Sequence, residues 1–291
     1  MTTTAALEAP RAPPRGRVFR RFRKHRLAVG GAIVIVALGL ATIFASALSP
    51  YDPLALDLTS TYAPPFTAGH ILGADDLGRD VLSRLLYAGR ISLSVGLAAM
   101  LVTVFVGSLV GAFAAYLGGW VGTLLMRLTD MVLCFPNIFL LLFIAAFVRP
   151  TLLSMVLIIG LTSWMEIARI VYAQVLSLKR RDFILAAQLS GASSARIVLR
   201  QVLPNTLAPI LVAASLNTAN AILLESYISF LGYGIQPPAA SWGNMLTNAQ
   251  SDLLIAPWLA IFPGIAITIA VTSFNFVGDG IRDALDVRLQ V

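Results

Sequence analysis

The sequence predicts an all-α integral membrane protein of six transmembrane helices, with both termini in the cytoplasm. Three observations predict it. Apolar residues make up 58% of the 291-residue chain and charged residues 12%, where soluble domains carry roughly 25% charge. The apolar residues fall in runs of about 20, the length a helix needs to cross ~30 Å of hydrocarbon. The basic residues behind the net charge of +7 gather in short segments beside those runs, which is membrane orientation chemistry rather than a nucleic-acid footprint.

The first 26 residues read as a cytoplasmic basic segment, with positions 1–16 too rich in Ala, Thr, Pro and Arg to fold. Eight Lys/Arg between positions 11 and 26 precede the first transmembrane helix, 27–48, which Pro50 stops. Ala45-Ser46-Ala47 resembles a signal-peptidase site, but the apolar run exceeds a signal sequence's roughly 7–15 residues, so an uncleaved helix is expected. Residues 49–90 form a polar extracytoplasmic segment ending in a short helix at 80–87. Asp80 caps that helix and pairs with Arg84 four residues on. Asp75, Asp76 and Asp80 lack the spacing of a calcium loop.

The core, 91–280, holds five more helices, at about 92–116, 121–147, 152–176, 207–231 and 258–277, before a cytoplasmic tail at 281–291. The second carries Gly107 and Gly111, a spacing that lets helices approach closely. The sixth carries a kink at Pro263-Gly264. Trp242 and Trp258 fall at the expected outer interface, as lipid anchors or as contacts for an external protein. Cys134, the one cysteine, forms no intrachain disulfide and reads as a packing residue. His25 and His70 are far apart, and no cluster has metal-ligand spacing.

Counting Lys/Arg sets the orientation. With the N-terminus inside, 15 of the 21 fall in the inner segments 1–26, 117–120, 178–205 and 279–291. Four fall outside, Arg79, Arg84, Arg90 and Arg149, while Arg127 and Arg169 lie within helices.

Charge inside a membrane is costly and marks function by default. Arg127 and Asp130 in the third helix, and Glu166 and Arg169 in the fourth, lie at similar depth. They suggest a clamp pairing Arg127 with Glu166 and Asp130 with Arg169, with a substrate contact as the second reading. The fifth helix is the most polar. Asn217, Thr218, Asn220 and Glu225 fall loosely on one side, which either faces a translocation pathway or bonds neighbouring helices. Glu225 lies near the outer end, where its carboxylate can meet a cationic group such as an amine.

The inner stretch RDFILAAQLSGASSARIVLRQVLPN, Arg181 to Asn205, reads as two short helices around a break. Asp182 opens the first, Phe183, Ile184 and Ala187 give it an apolar face, Gly191 permits the turn, Ser193 or Ser194 caps the second and Pro204 ends it. On physics alone, an amphipathic interfacial loop explains it equally well. This stretch resembles the coupling loop of ATP-binding-cassette importer permeases. Ala186, Ala187, Gly191, Ile197, Leu203, Pro204 and Asn205 stand at the motif's positions, while Leu185 replaces its usual glutamate and Gln201 an often-found histidine. Three further segments are similar to the C-type permease subunit of dipeptide, oligopeptide and nickel importers: LGADDLGRDVLSRLLYAGRISL (Leu72–Leu93), SFLGYGIQPPAASWGNML (Ser229–Leu246) and the last helix and tail (Ala256–Asp286).

The resemblance implies a type I importer permease core in a bacterial plasma membrane, in contact with lipid. It implies pairing with a B-type permease subunit, substrate delivered by an extracytoplasmic binding protein, and two ATPase subunits, or one fused ATPase, that hold ATP and Mg. The coupling element, with Ala192 and Arg196 among its residues, is where the ATPases grip. The chain itself lacks a GxxxxGK[ST] loop: its two lysines, Lys24 and Lys179, precede His25 and Arg180. No catalytic, cofactor or metal residues are expected here. The implied cargo is a di- or oligopeptide, with nickel, a metallophore or haem as the alternative. A proton-coupled transporter using Asp130, Glu166 or Glu225 is the reading from another class, although no internal repeat is visible. An intramembrane enzyme has no HExxH or GxSxG motif to support it.

Overall fold

The structure, a computed structural model, describes residues 15–67 and 69–285. The segment 1–14, expected to be disordered, and the tail residues 286–291 lie outside the described residues. The elements are helical throughout: α1 Arg15–Phe22, α2 Arg26–Ile43, α3 Ala45–Leu48, α4 Val81–Leu117, α5 Gly119–Leu133, α6 Asn137–Phe147, α7 Leu152–Leu178, α8 Asp182–Leu189, α9 Ser194–Ile197, α10 Leu203–Asn205, α11 Leu207–Phe230, α12 Trp242–Ala249 and α13 Trp258–Leu285.

Five of these, α2, α4, α7, α11 and α13, are long and apolar enough to cross a membrane. The third expected helix, 121–147, is instead two helices, α5 and α6, bent by 85°. Pro136 sits at the break: it has no N–H to donate and disfavours helix in the residue before it. Interhelical contacts fix the directions. Along α4 and α7, Gly160 meets Val102, Gly107 meets Ile167 and Gly111 meets the Ala168 carbonyl, so the two run parallel. A parallel pair requires the chain between them to cross back, so α5 and α6 together form one broken span. Gly122 against Ala114 makes α5 antiparallel to α4 across the Gly118 turn. Paired contacts fix the rest: Ser92 with Glu225 and Gly96 with Ile222 make α11 antiparallel to α4, Ser215 with Phe274 and Tyr227 beside Gly264 make α13 antiparallel to α11, and Ala28 with Gly280 and Gly31 with Ser273 make α2 antiparallel to α13. Six crossings alternate in direction.

The glycines are what permit the α4–α7 pairing. A Cβ on Gly111 would collide with backbone atoms of Ala168, which cannot yield as a side chain can.

Helix α4 begins at Val81, eleven residues before the expected start of the second helix. At ~1.5 Å per residue its 37 residues span about 55 Å, well beyond ~30 Å of hydrocarbon. Its first turns therefore stand outside the apolar layer, where its charges find partners. Arg90 donates to the C-terminal carbonyls of α2, Nε to Thr42 at 2.6 Å and Nη2 to Ile43 at 2.9 Å. Asp80 caps α4 through the Ser83 N–H at 2.7 Å, but its other oxygen meets His70 at 2.9 Å, not Arg84. Arg84 turns instead to Asp75, at 3.5 Å, beside the Arg79–Asp75 pair at 2.7 Å. The carboxylates of the 75–80 cluster are thus engaged by protein partners.

Other expectations change too. Cys134 is exposed, at the α5–α6 break. Trp242 is 1% exposed, inside the chain, so it serves neither as lipid anchor nor as external contact.

Candidate functional site: a surface helix pair and an intramembrane cleft

The stretch after α7 folds as two short helices around a glycine turn. Asp182 lies in the first turn of α8, where a negative charge suits the helix dipole. The helix ends in a Schellman motif: Gly191 N–H donates to Gln188 O at 3.0 Å and Ala192 N–H to Ala187 O at 3.1 Å. Gly191 holds φ of +75°, a conformation that costs any other residue strain. Ser193, rather than Ser194, caps α9 by accepting from Arg196 N–H at 3.4 Å. Residues Val198–Val202 then widen into a π-helical turn, just ahead of Pro204, whose missing N–H breaks the regular bonding. Asn205 donates back to Gln201 O at 2.6 Å.

The pair is bolted to the membrane helices. Ile184, Ala187, Ile197, Val198 and Val202 are buried against Ala112, Ala115 and Tyr116 of α4 and Ile167, Val171 and Val175 of α7. Gln188 donates to the Tyr116 hydroxyl at 3.1 Å, and Lys179 reaches Ala115 O at 3.5 Å. Phe183, expected on the buried face, points out, 42% exposed, because Ile184 and Ala187 are the positions three apart that meet α4 and α7. Leu185 and Leu189, four apart, form an exposed apolar strip, and Leu189 is 90% exposed. Ala186 and Arg196 are exposed as well.

Inside the membrane, the four charges do not close as a quartet. Arg169 pairs with Asp130. Arg127 is exposed, and no ion pair joins it to Glu166 among the described residues. The reason is direction. Helices α5 and α7 are antiparallel, so stepping back three residues on each from the 130–169 pair moves 127 and 166 oppositely, about 9 Å apart along the axis. Glu166 lies instead in a cleft of about 210 Å³ lined by α5, α6, α7 and α11, which also takes in Asn137, Ser163, Asn217 and Asn220. Residues flanking the α5–α6 break, Leu133, Phe135 and Asn137, form part of its wall.

Glu225 and Thr218 are not part of that cleft. Glu225 is fully buried near the end of α11. Its oxygens accept from Ser92 at 2.8 Å and Ser229 at 2.7 Å. Those hydroxyls in turn accept from the backbone N–H of Trp242 at 3.1 Å and Ile235 at 3.3 Å. Glu225 therefore ties the 232–242 loop to α4 and α11, and in this conformation no cargo amine reaches it. Helix α12, absent from the sequence reading, completes the lid over this network. Its Ser241/Asn244 capping box was the available signal, a serine followed three residues on by a side chain that reaches back. Asn244 further donates to Ile235 O and Ala239 O, at 3.0 and 2.8 Å.

An alternating bundle of six spans carrying a rigid helix pair at one face is the architecture of a multi-pass transport subunit. The chain belongs to the family of binding-protein-dependent transport system inner membrane components, whose profile matches residues 107–291. Residues 14–65 match the N-terminal transmembrane domain of oligopeptide transport permease C. The chain is 44% identical over 271 residues to the oligopeptide transport system permease protein OppC of Escherichia coli K12, covering 92% of this chain and 89% of that one. It is 37% identical to the dipeptide transport system permease protein DppC of Alkalihalophilus pseudofirmus, covering 94% and 89%. It is 36% identical to OppC of Bacillus subtilis, covering 93% and 88%. The protein is thus a multi-pass inner membrane permease subunit.

Proposed function

We propose that this permease is the C-type subunit of an ATP-driven importer of di- or oligopeptides in a bacterial plasma membrane. It pairs with a B-type permease to form the pathway, and a binding protein delivers cargo to the face carrying residues 49–80 and α12. Two ATPase subunits, or one fused ATPase, bind ATP and Mg and grip α8 and α9 on the cytoplasmic face. Both termini lie on that cytoplasmic face.

The observation that carries the reading is the anchoring of α8 and α9. An element docked on α4 and α7, which are themselves locked in parallel contact, moves only as part of a larger body. Motion of an ATPase against the Leu185–Leu189 strip is then delivered to two spans at once, as switching between two packed states requires. The exposed leucines favour an apolar receptor surface on the ATPase. The peptide cargo is supported by the similarity to oligopeptide and dipeptide permeases. The test is purification of the tagged chain from its native membrane, with reconstitution into proteoliposomes. A second permease and ATPase copurify, and peptide uptake requires ATP and the binding protein. Uptake by this chain alone, without any ATPase, overturns the reading.

A further inference from the structure

Glu166 lies near the middle of α7, about 21 Å from the Leu152 end and about 18 Å from the Leu178 end at ~1.5 Å per residue. It is exposed on the cleft wall, and among the described residues it has no hydrogen-bond or ion-pair partner. The nearby cation, Arg169, is taken by Asp130. No Lys or Arg lines the cleft. Three further polar atoms on residues lining the same cleft are buried without partners: Asn137 Oδ1, Ser163 Oγ and Asn217 Oδ1. Asn217 itself is only 7% exposed. All three accept hydrogen bonds. Acceptors left unpaired beside an unpaired carboxylate are costly at this depth. The cleft is therefore complementary to a cation rich in N–H donors.

We propose that this cleft receives the protonated amino terminus of the cargo peptide midway across the membrane. Glu166 supplies the counter-charge, Asn137 and Asn217 accept from the ammonium, and Asn220 lies next along α11 for the first peptide bond. The assignment rests on the peptide-importer reading above and deepens it. The ammonium is chosen over the carboxyl terminus because the cleft offers a carboxylate and no free cation. It is also the one positive group that every unmodified peptide carries, so a site for it tolerates many sequences. The volume suits the terminal group and its first side chain rather than a whole peptide, the rest of which lies in the pathway beyond.

The test uses the complete reconstituted complex with its binding protein, and two cargos differing only at the amino terminus, a peptide and its N-acetyl derivative. Each is measured with the native chain, Glu166→Gln and Glu166→Asp. The expected result is that Glu166→Gln slows uptake of the free peptide about tenfold or more, the worth of a hydrogen bond to a charged group, and leaves N-acetyl peptide uptake unchanged. Glu166→Asp keeps most of the preference. The binding protein is the same in every arm, so its own selectivity cancels in the comparison. Equal slowing of both cargos, or none, overturns the assignment. So does failure of Glu166→Gln to copurify with the second permease, which makes Glu166 an intersubunit contact. A native complex that hydrolyses ATP yet moves neither cargo refutes the peptide reading itself, and this site with it.

Discussion

Glu225 shows how one side chain can look like a pathway residue in sequence and be a fastener in the fold. Its position near the outer end of a polar helix is legible; its enclosure is not, because the two serines that hold it lie 133 residues before and four residues after it. Both serine hydroxyls already accept from backbone N–H groups, so their protons are committed to the carboxylate. Replacing Glu225 with Leu leaves two buried donors without acceptors, at about 1–3 kcal/mol each. The expected outcome is a lower melting temperature of the purified complex and faster amide exchange at Ile235 and Trp242, with Glu225→Gln milder. Unchanged exchange at those two amides refutes the fastening role. The clamp charges carry the same lesson: residue depth is legible from helix boundaries, but pairing depends on the relative direction of two helices.

Elements were legible where apolar runs are continuous. Helices α7 and α11 end within two residues of the positions read from the sequence. The errors sit where a local partner overrides the pattern. Arg84 and Arg90 interrupt the apolar run before Ser92, yet α4 continues through them because Asp75 pairs with Arg84 and the α2 carbonyls accept from Arg90. Pro136 breaks α5 from α6 inside a run apolar enough to read as one helix. In the α8–α9 pair, the turn was legible from Gly191 alone. No atom stands within 4 Å of a Cβ built there, so Gly191→Val adds backbone strain without a clash, about 1–2 kcal/mol for the left-handed conformation. We expect normal membrane levels, continued ATP hydrolysis and reduced peptide uptake in proteoliposomes. Uptake and hydrolysis both at native levels would show that the turn does not set coupling.

At the scale of the whole molecule, six alternating crossings return the chain to the side where it began. With the inner face assigned by Lys/Arg counts, green fluorescent protein fused at either terminus fluoresces, and alkaline phosphatase fused after Gln250 is active. Active phosphatase at the C-terminus contradicts the alternation. Span number was largely legible from the length and spacing of the apolar runs, and sidedness is what the two fusions test. The arrangement of spans was not: that α4 lies parallel to α7 depends on Gly107, Gly111 and Gly160 each meeting a residue of the other helix about 60 positions away in the chain, and the glycine spacing says that a close approach exists without saying to what.

The parallel pairing has a consequence for how the protein is made. A helix whose neighbour is the next span can pair as soon as that span enters the bilayer. Helix α4 must wait for the returning α5–α6 span and then for all of α7, roughly 60 residues after Leu117. At ~5–20 residues per second of synthesis, that is about 3–12 s. During that interval the glycine groove meets lipid, and the helix pair that docks on it has not yet been synthesised. The body formed by α4, α7 and the helix pair docked on them is thus assembled late, and a chain released before α7 carries α4 with its main seam unfilled.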